Sequence, residues 1–201
     1  MKSTGCMFVV STLLIAFGPV SHATEQIAES PMDPAMMEKM KLLTSPSETH
    51  QVLEPLAGTW SYTGQFWMSP NAPAEKMNGK AIHTLIYSGR FLKQEFEGPW
   101  MGETFQGLGF TGYDNVKEEY VSTWLDSMST GIMTVTGQYD PETKTFKLSG
   151  ANSCPMTGEK ARFSRSEWTV VDHDRSTYTS YMKGPDGREY KAMEIEYSRA
   201  Q

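Results

Sequence analysis

The densest group of side chains able to do chemistry is Asp126-Ser127-Met128-Ser129-Thr130-Gly131, a carboxylate set among hydroxyls. A serine nucleophile needs a base within hydrogen-bond reach to take its proton, and no G-x-S-x-G elbow is present to mount one. Asp126 and Ser127, with Arg90 and Glu194, are therefore the candidates for an enzyme that uses polar groups inside its fold. The same string also describes a hairpin whose Asp and Ser side chains hold their own backbone, which is the preferred reading. Glu194 and Glu196 fall on one face of a strand, where paired carboxylates are usually solvated rather than catalytic.

Two other patterns fail on their context. Gly107-Leu108-Gly109-Phe110-Thr111-Gly112 spells the dinucleotide string G-x-G-x-x-G, but that string works only when a helix follows to hold the pyrophosphate. Here a turn and another strand follow, so the glycines are expected to bend a strand or leave room inside it. His50, His83 and His173 stand on a helix, a strand and a turn with no metal-ligand spacing, so no metal and no cofactor are expected. Cys154 sits in Cys154-Pro155-Met156-Thr157-Gly158 with nothing activating beside it in sequence, and reads as a passive thiol.

Gly58-Thr59-Trp60 and Arg199 are more informative as a pair. They open the first long strand and close the last one. In a closed barrel those strands are neighbours, so the guanidinium of Arg199 could lie across the Trp60 indole and shut one end.

The elements that must position these residues follow from periodicity. Asp33-Pro34 is an N-cap followed by proline at the first helical position, with Met36, Met40 and Leu43 at helical spacing. Ser45-Pro46-Ser47-Glu48 reads as a capping box opening a second short helix to about Leu53. From Gly58 the period changes to two, and strand-like runs continue over about 79–88, 90–97, 103–113, 118–126, 130–139, 144–150, 160–171, 175–183 and 188–198. Short turn signals separate them, among them Ser88-Gly89, Gly98-Pro99 and Asp140-Pro141. No helix intervenes, which excludes a parallel sheet built from β-α-β units. The expected fold is all-β: an antiparallel up-and-down β-barrel of about ten strands, preceded by one or two short α-helices, with a two-layer sandwich as the competing form.

Residues 1–23 read as a secretory signal peptide: Lys2, an apolar run from Met7 to Phe17, and Ser21-His22-Ala23 as the cleavage site. The run is too short to span a bilayer, so the exported chain, periplasmic or secreted, is not expected to cross a membrane by a helix. Residues 24–32 are expected to form a flexible lead-in, 33–54 the short helices and 55–201 the barrel. The 201 residues carry 18 Lys+Arg against 24 Asp+Glu, and this acidic balance argues against nucleic acid as a partner. Cys6 leaves with the signal, so Cys154 has no internal disulfide partner and stability must come from a core.

The longer strings Leu53-Glu54-Pro55-Leu56-Ala57-Gly58-Thr59-Trp60, Gly89-Arg90-Phe91-Leu92, Tyr120 through Gly131, and Gly184-Pro185-Asp186-Gly187 with Met193-Glu194-Ile195 resemble a bacterial family of unknown function, number 1579 in the domain-of-unknown-function series. The resemblance runs from about residue 48 to 199. It implies a lipocalin-like β-barrel and no reaction.

Three functions are weighed on this basis. The first is binding of a small, largely apolar ligand inside the barrel, lined by Trp60, Tyr62, Phe66, Phe110, Tyr120, Trp124, Trp168 and Tyr178. The second is a structural or partner-binding envelope protein whose barrel is filled by those same aromatics. The third is the enzyme described above.

Overall fold

The computed structural model describes residues 33–200; the signal-peptide and lead-in readings lie outside the described residues. Two short helices, α1 (Pro34–Thr44) and α2 (Glu48–Gln51), and a single 3-10 turn (Glu54–Leu56) precede ten strands. These are β1 (Gly58–Phe66), β2 (Glu75–Ile86), β3 (Phe91–Trp100), β4 (Glu103–Asp114), β5 (Glu119–Asp126), β6 (Met133–Asp140), β7 (Thr145–Asn152), β8 (Arg162–Val170), β9 (Arg175–Lys183) and β10 (Glu189–Arg199). Every strand pairs antiparallel with its sequence neighbours, and β1 pairs with β10, so the sheet closes into a barrel. Closure leaves no unpaired edge among these strands.

The helices plug one end. Asp33 caps α1 by accepting the Ala35 N–H at 3.0 Å. The capping box is shifted from the expected one: Ser47, not Ser45, is the N-cap of α2, and His50 rather than Glu48 answers it, with Nδ1 accepting the Ser47 N–H at 3.1 Å. Ser45 instead ends α1, its N–H donating to the Lys41 carbonyl. The plug proper is Leu53 and Leu56, fully buried against Leu92, Tyr120, Phe146, Leu148, Trp168 and Val170. The Tyr120 hydroxyl ties this end to α2 by donating to the Thr49 carbonyl at 2.6 Å.

One turn departs from expectation. Gly98-Pro99 does not end β3; both residues stay in the ladder, opposite Phe105 and Thr104. The chain reverses at Met101 and Gly102, whose φ angles of 48° and 88° suit a two-residue hairpin turn between right-twisted strands. Proline is tolerated in the ladder here because it lies two residues from that turn, where one missing N–H costs little pairing.

Trp60 and Arg199 are register partners across the β1–β10 seam. The guanidinium carbon lies 4.2 Å from the Trp60 ring centroid. Its three nitrogens donate to the carbonyls of Ala57, Pro55 and His173, each at 2.8 Å. Gly58 makes room for it: its φ is +134°, and a Cβ there would stand 2.2 Å from Arg199 Nη1.

Candidate functional site

Alternation along the strands decides which side chains share the interior. Trp60, Tyr62, Phe66, Tyr120 and Trp168 are buried there, and Tyr178 packs between the two core clusters. Trp124 is half-buried, in T-shaped contact with Phe96 at 5.1 Å. Its indole N–H donates to Asp126 Oδ2 at 2.8 Å. Phe110 is a correction. It pairs with Lys93 and Thr123 on the outer face, because Gly107, Gly109 and Thr111 take the inward positions of β4. Gly107 and Gly109 are needed bare: a Cβ at Gly107 would stand 2.4 Å from the Trp124 ring.

Several interior residues carry no signal in the sequence. Phe96, Phe146 and Tyr197 complete a nearly continuous aromatic filling, with Tyr62–Phe96, Tyr120–Phe146 and Phe146–Trp168 centroids 5.5, 5.0 and 6.3 Å apart. Thr111 donates to Gln94 Oε1 and meets the Ser122 hydroxyl, both at 2.9 Å, so these buried polar groups satisfy one another.

His83 is different. Its Nδ1 lies 3.0 Å from the Leu56 carbonyl, which only accepts, so Nδ1 carries the proton and Nε2 presents a lone pair. That Nε2 is buried without a partner, boxed by Trp60, Phe96, Trp168 and Tyr197 at centroid distances of 5.6 to 6.4 Å. Burial pushes its pKa down to about 4, opposed by the Leu56 hydrogen bond and assisted by the charge of Arg199.

The four polar candidates are not brought together. Arg90 lies at the plugged end, donating to the Thr44 and Tyr87 carbonyls. Asp126 and Ser127 lie at the other end and hold their hairpin: Asp126 accepts the Met128 N–H and Ser127 Oγ the Gln106 N–H. Glu194 faces outward from β10 and pairs with Lys191. Apart from the Trp124 indole on Asp126, their hydrogen bonds go to backbone and surface partners, and neither the pocket beside Cys154 nor the concavity over β1 and β10 is lined by more than one of them.

An apolar pocket of about 200 Å³ lies at the end opposite the helices. It is bounded by Phe66, Trp67, Met133, Met182, Ala192 and Met193, with Cys154 and Arg162 on its wall. Arg162 is pinned by the Lys183 carbonyl at 2.8 Å and the Tyr190 hydroxyl at 3.4 Å, and its Nη1 lies 3.4 Å from Cys154 Sγ. Burial alone would raise this thiol. Hydrogen bonds from Thr157, Arg162 and the backbone of Thr157 and Met156 outweigh it and bring the pKa down to about 7. The thiol that reads as passive in sequence therefore has its pKa lowered first by Thr157, three positions along its own turn, and then by Arg162, eight positions along the chain. A wider concavity, about 580 Å³, lies over outward-facing residues of β1, β2, β9 and β10 such as Thr63, Gln65, Asn78 and Thr179. Its wall mixes polar groups with apolar ones such as Met77 and Ile195, whereas the smaller pocket is walled mainly by apolar side chains.

The family described as "Protein of unknown function (DUF1579)" matches residues 45–199, and the chain belongs to that family. Among curated proteins none matches it in sequence. Two solved structures share the fold. Rv2717c from M. tuberculosis aligns with a TM-score of 0.59 at 13% identity, over 78% of this chain and 100% of that one. The S-type phycobiliprotein lyase CPES from Guillardia theta aligns with a TM-score of 0.53 at 15% identity, over 75% of this chain and 92% of that one.

Proposed function

We propose that this family member is an exported protein that binds a small apolar molecule at the open mouth of its barrel. The observation that carries this is the contrast between a middle filled with tilted and edge-on aromatic rings and an end that keeps a pocket of about 200 Å³. An apolar cavity of roughly 150 Å³ takes up benzene, so the mouth suits about one or two rings or a short acyl chain. Methionines line it, and their unbranched, polarisable side chains adapt to ligands of differing outline. One neighbour of the same fold is a phycobiliprotein lyase, an enzyme by name, which is consistent with a barrel that handles a ligand.

A neutral naphthalene fluorophore tests the reading. Burying roughly 250 Å² of apolar surface supplies at most about 6 kcal/mol, a Kd no tighter than tens of micromolar. Met182→Trp fills the pocket and is expected to weaken binding at least tenfold. Leu42→Trp, on the exposed face of α1, is expected to leave it unchanged. If no apolar probe binds, or Met182→Trp has no effect, the filled-barrel, partner-binding reading takes its place, with the exposed Met36, Met37 and Met40 of α1 as the surface to test.

A further inference from the structure

Sulfur is concentrated at the mouth. Five of the 14 methionines, Met68, Met133, Met156, Met182 and Met193, line the same pocket as Cys154. They arrive from just after β1, the start of β6, the β7–β8 loop, the end of β9 and the bulged part of β10, so no spacing in the sequence announces them. Cys154 and Met156 share one turn, closed by the Gly158 N–H to the Cys154 carbonyl and the Cys154 N–H to the Glu159 carbonyl, each at 2.8 Å. Arg162 links that turn to β9, touching Cys154 Sγ on one side and the carbonyl next to Met182 on the other.

The donor set is selective by its chemistry. No histidine, aspartate or glutamate lines the pocket, so hard or borderline divalent cations find neither carboxylate nor imidazole there. Thiolate and thioether are the soft donors that favour Cu(I). The fixed guanidinium of Arg162 disfavours a second positive charge but tolerates a monovalent ion neutralised by the thiolate beside it. Methionine's three rotatable bonds let thioethers converge on an ion from a wall that otherwise stands open.

We propose that the mouth is a binding site for a soft monovalent cation, Cu(I), held by the Cys154 thiolate with the thioethers of Met156 and Met182. Binding forms one Cu–S bond to the thiolate and dative bonds to the two thioethers, with the thiol proton released to solvent and no change in oxidation state. The inference uses the pocket of the proposed function but does not need its apolar occupant.

The test is transfer of Cu(I) from its coloured bicinchoninate complex, under ascorbate, to the Cys6→Ser chain, in which Cys154 is the remaining thiol. One equivalent per chain is expected to move. Cys154→Ser should weaken retention at least 100-fold, and Met156→Leu or Met182→Leu at least tenfold each. A triple Met36→Leu, Met37→Leu, Met40→Leu variant should keep the site intact. No transfer, transfer indifferent to Cys154→Ser, or loss in the α1 triple variant instead overturns the inference. The naphthalene titration on the same samples separates the two readings: fluorophore binding without Cu(I) sinks this inference alone, and Cu(I) uptake without fluorophore binding sinks the apolar-ligand reading alone.

Discussion

Arg199→Ala is expected to lower the unfolding free energy by about 3 kcal/mol. Three charge-assisted hydrogen bonds, each at 2.8 Å, tie the last strand to the entry of the first and to the His173 turn. Each is worth roughly 1.5–3 kcal/mol when well shielded. The freed carbonyls can partly recover water, so the sum is discounted. The stacking over Trp60 adds about 1 kcal/mol and covers an indole that is only 1% exposed. Arg199→Lys keeps the charge over the ring but cannot reach three carbonyls at once, so it should recover less than half of the loss. Urea unfolding of the three proteins at neutral pH measures this. A loss below 1 kcal/mol for alanine would mean that the seam holds without its clasp.

The second large effect is acid lability centred on His83. Its side chain is ordinary in the unfolded chain, titrating near 6.5, but stays neutral in the fold down to about 4. Between those values the unfolded state binds a proton that the folded state refuses, so stability falls as pH falls. Above pH 6.5 the term vanishes. By pH 4 it amounts to about 3 kcal/mol, at roughly 1.4 kcal/mol per pH unit. Carboxylates with depressed values, Glu189 held down by Arg165 and Asp140 at about 2, lose their stabilisation as pH falls through their unfolded values, so they enter at the acid end of this window. His50 is also lowered, mainly by burial, and acts in the same window. His83→Phe should therefore flatten much of the slope between pH 6.5 and 4, and adding His50→Gln should flatten it further. Denaturant melts across this range decide it; an unchanged slope in His83→Phe would show that the imidazole is not the group refusing the proton.

The barrel was legible because its information is local. Period-two patterning from Gly58 and short polar turns specify consecutive hairpins, and consecutive hairpins of this number have few places to go except closure. Local reading failed where a residue's meaning depends on register. Phe110 counts as an interior aromatic until the inward glycines of β4 are seen to set the parity. Pro99 marks a turn until Met101 and Gly102 are found to take the positive φ angles. Arg90 and Glu194 are as likely as any charged pair to meet Asp126 in sequence, yet strand order sends one to the plugged end and the other to the outer face. The mouth was invisible for the same reason. Met68, Met133, Cys154 and Met182 are scattered over more than a hundred residues and become neighbours only when ten strands close. His83 gave no hint of its isolation, since only tertiary packing puts four rings around a strand histidine.

Aromatic rings fill the middle of the barrel, and its apolar pocket is at the mouth. Methyl-labelled methionine spectra, recorded with the indole N–H signals during titration with the naphthalene fluorophore, test that division directly. The expected result is movement of the Met133, Met182 and Met193 methyls while the indole protons of Trp60 and Trp168, held by the Leu56 carbonyl and the Ser176 hydroxyl, stay fixed. Movement of those two indoles with the mouth methyls unchanged would place the ligand in the barrel's middle and contradict the account.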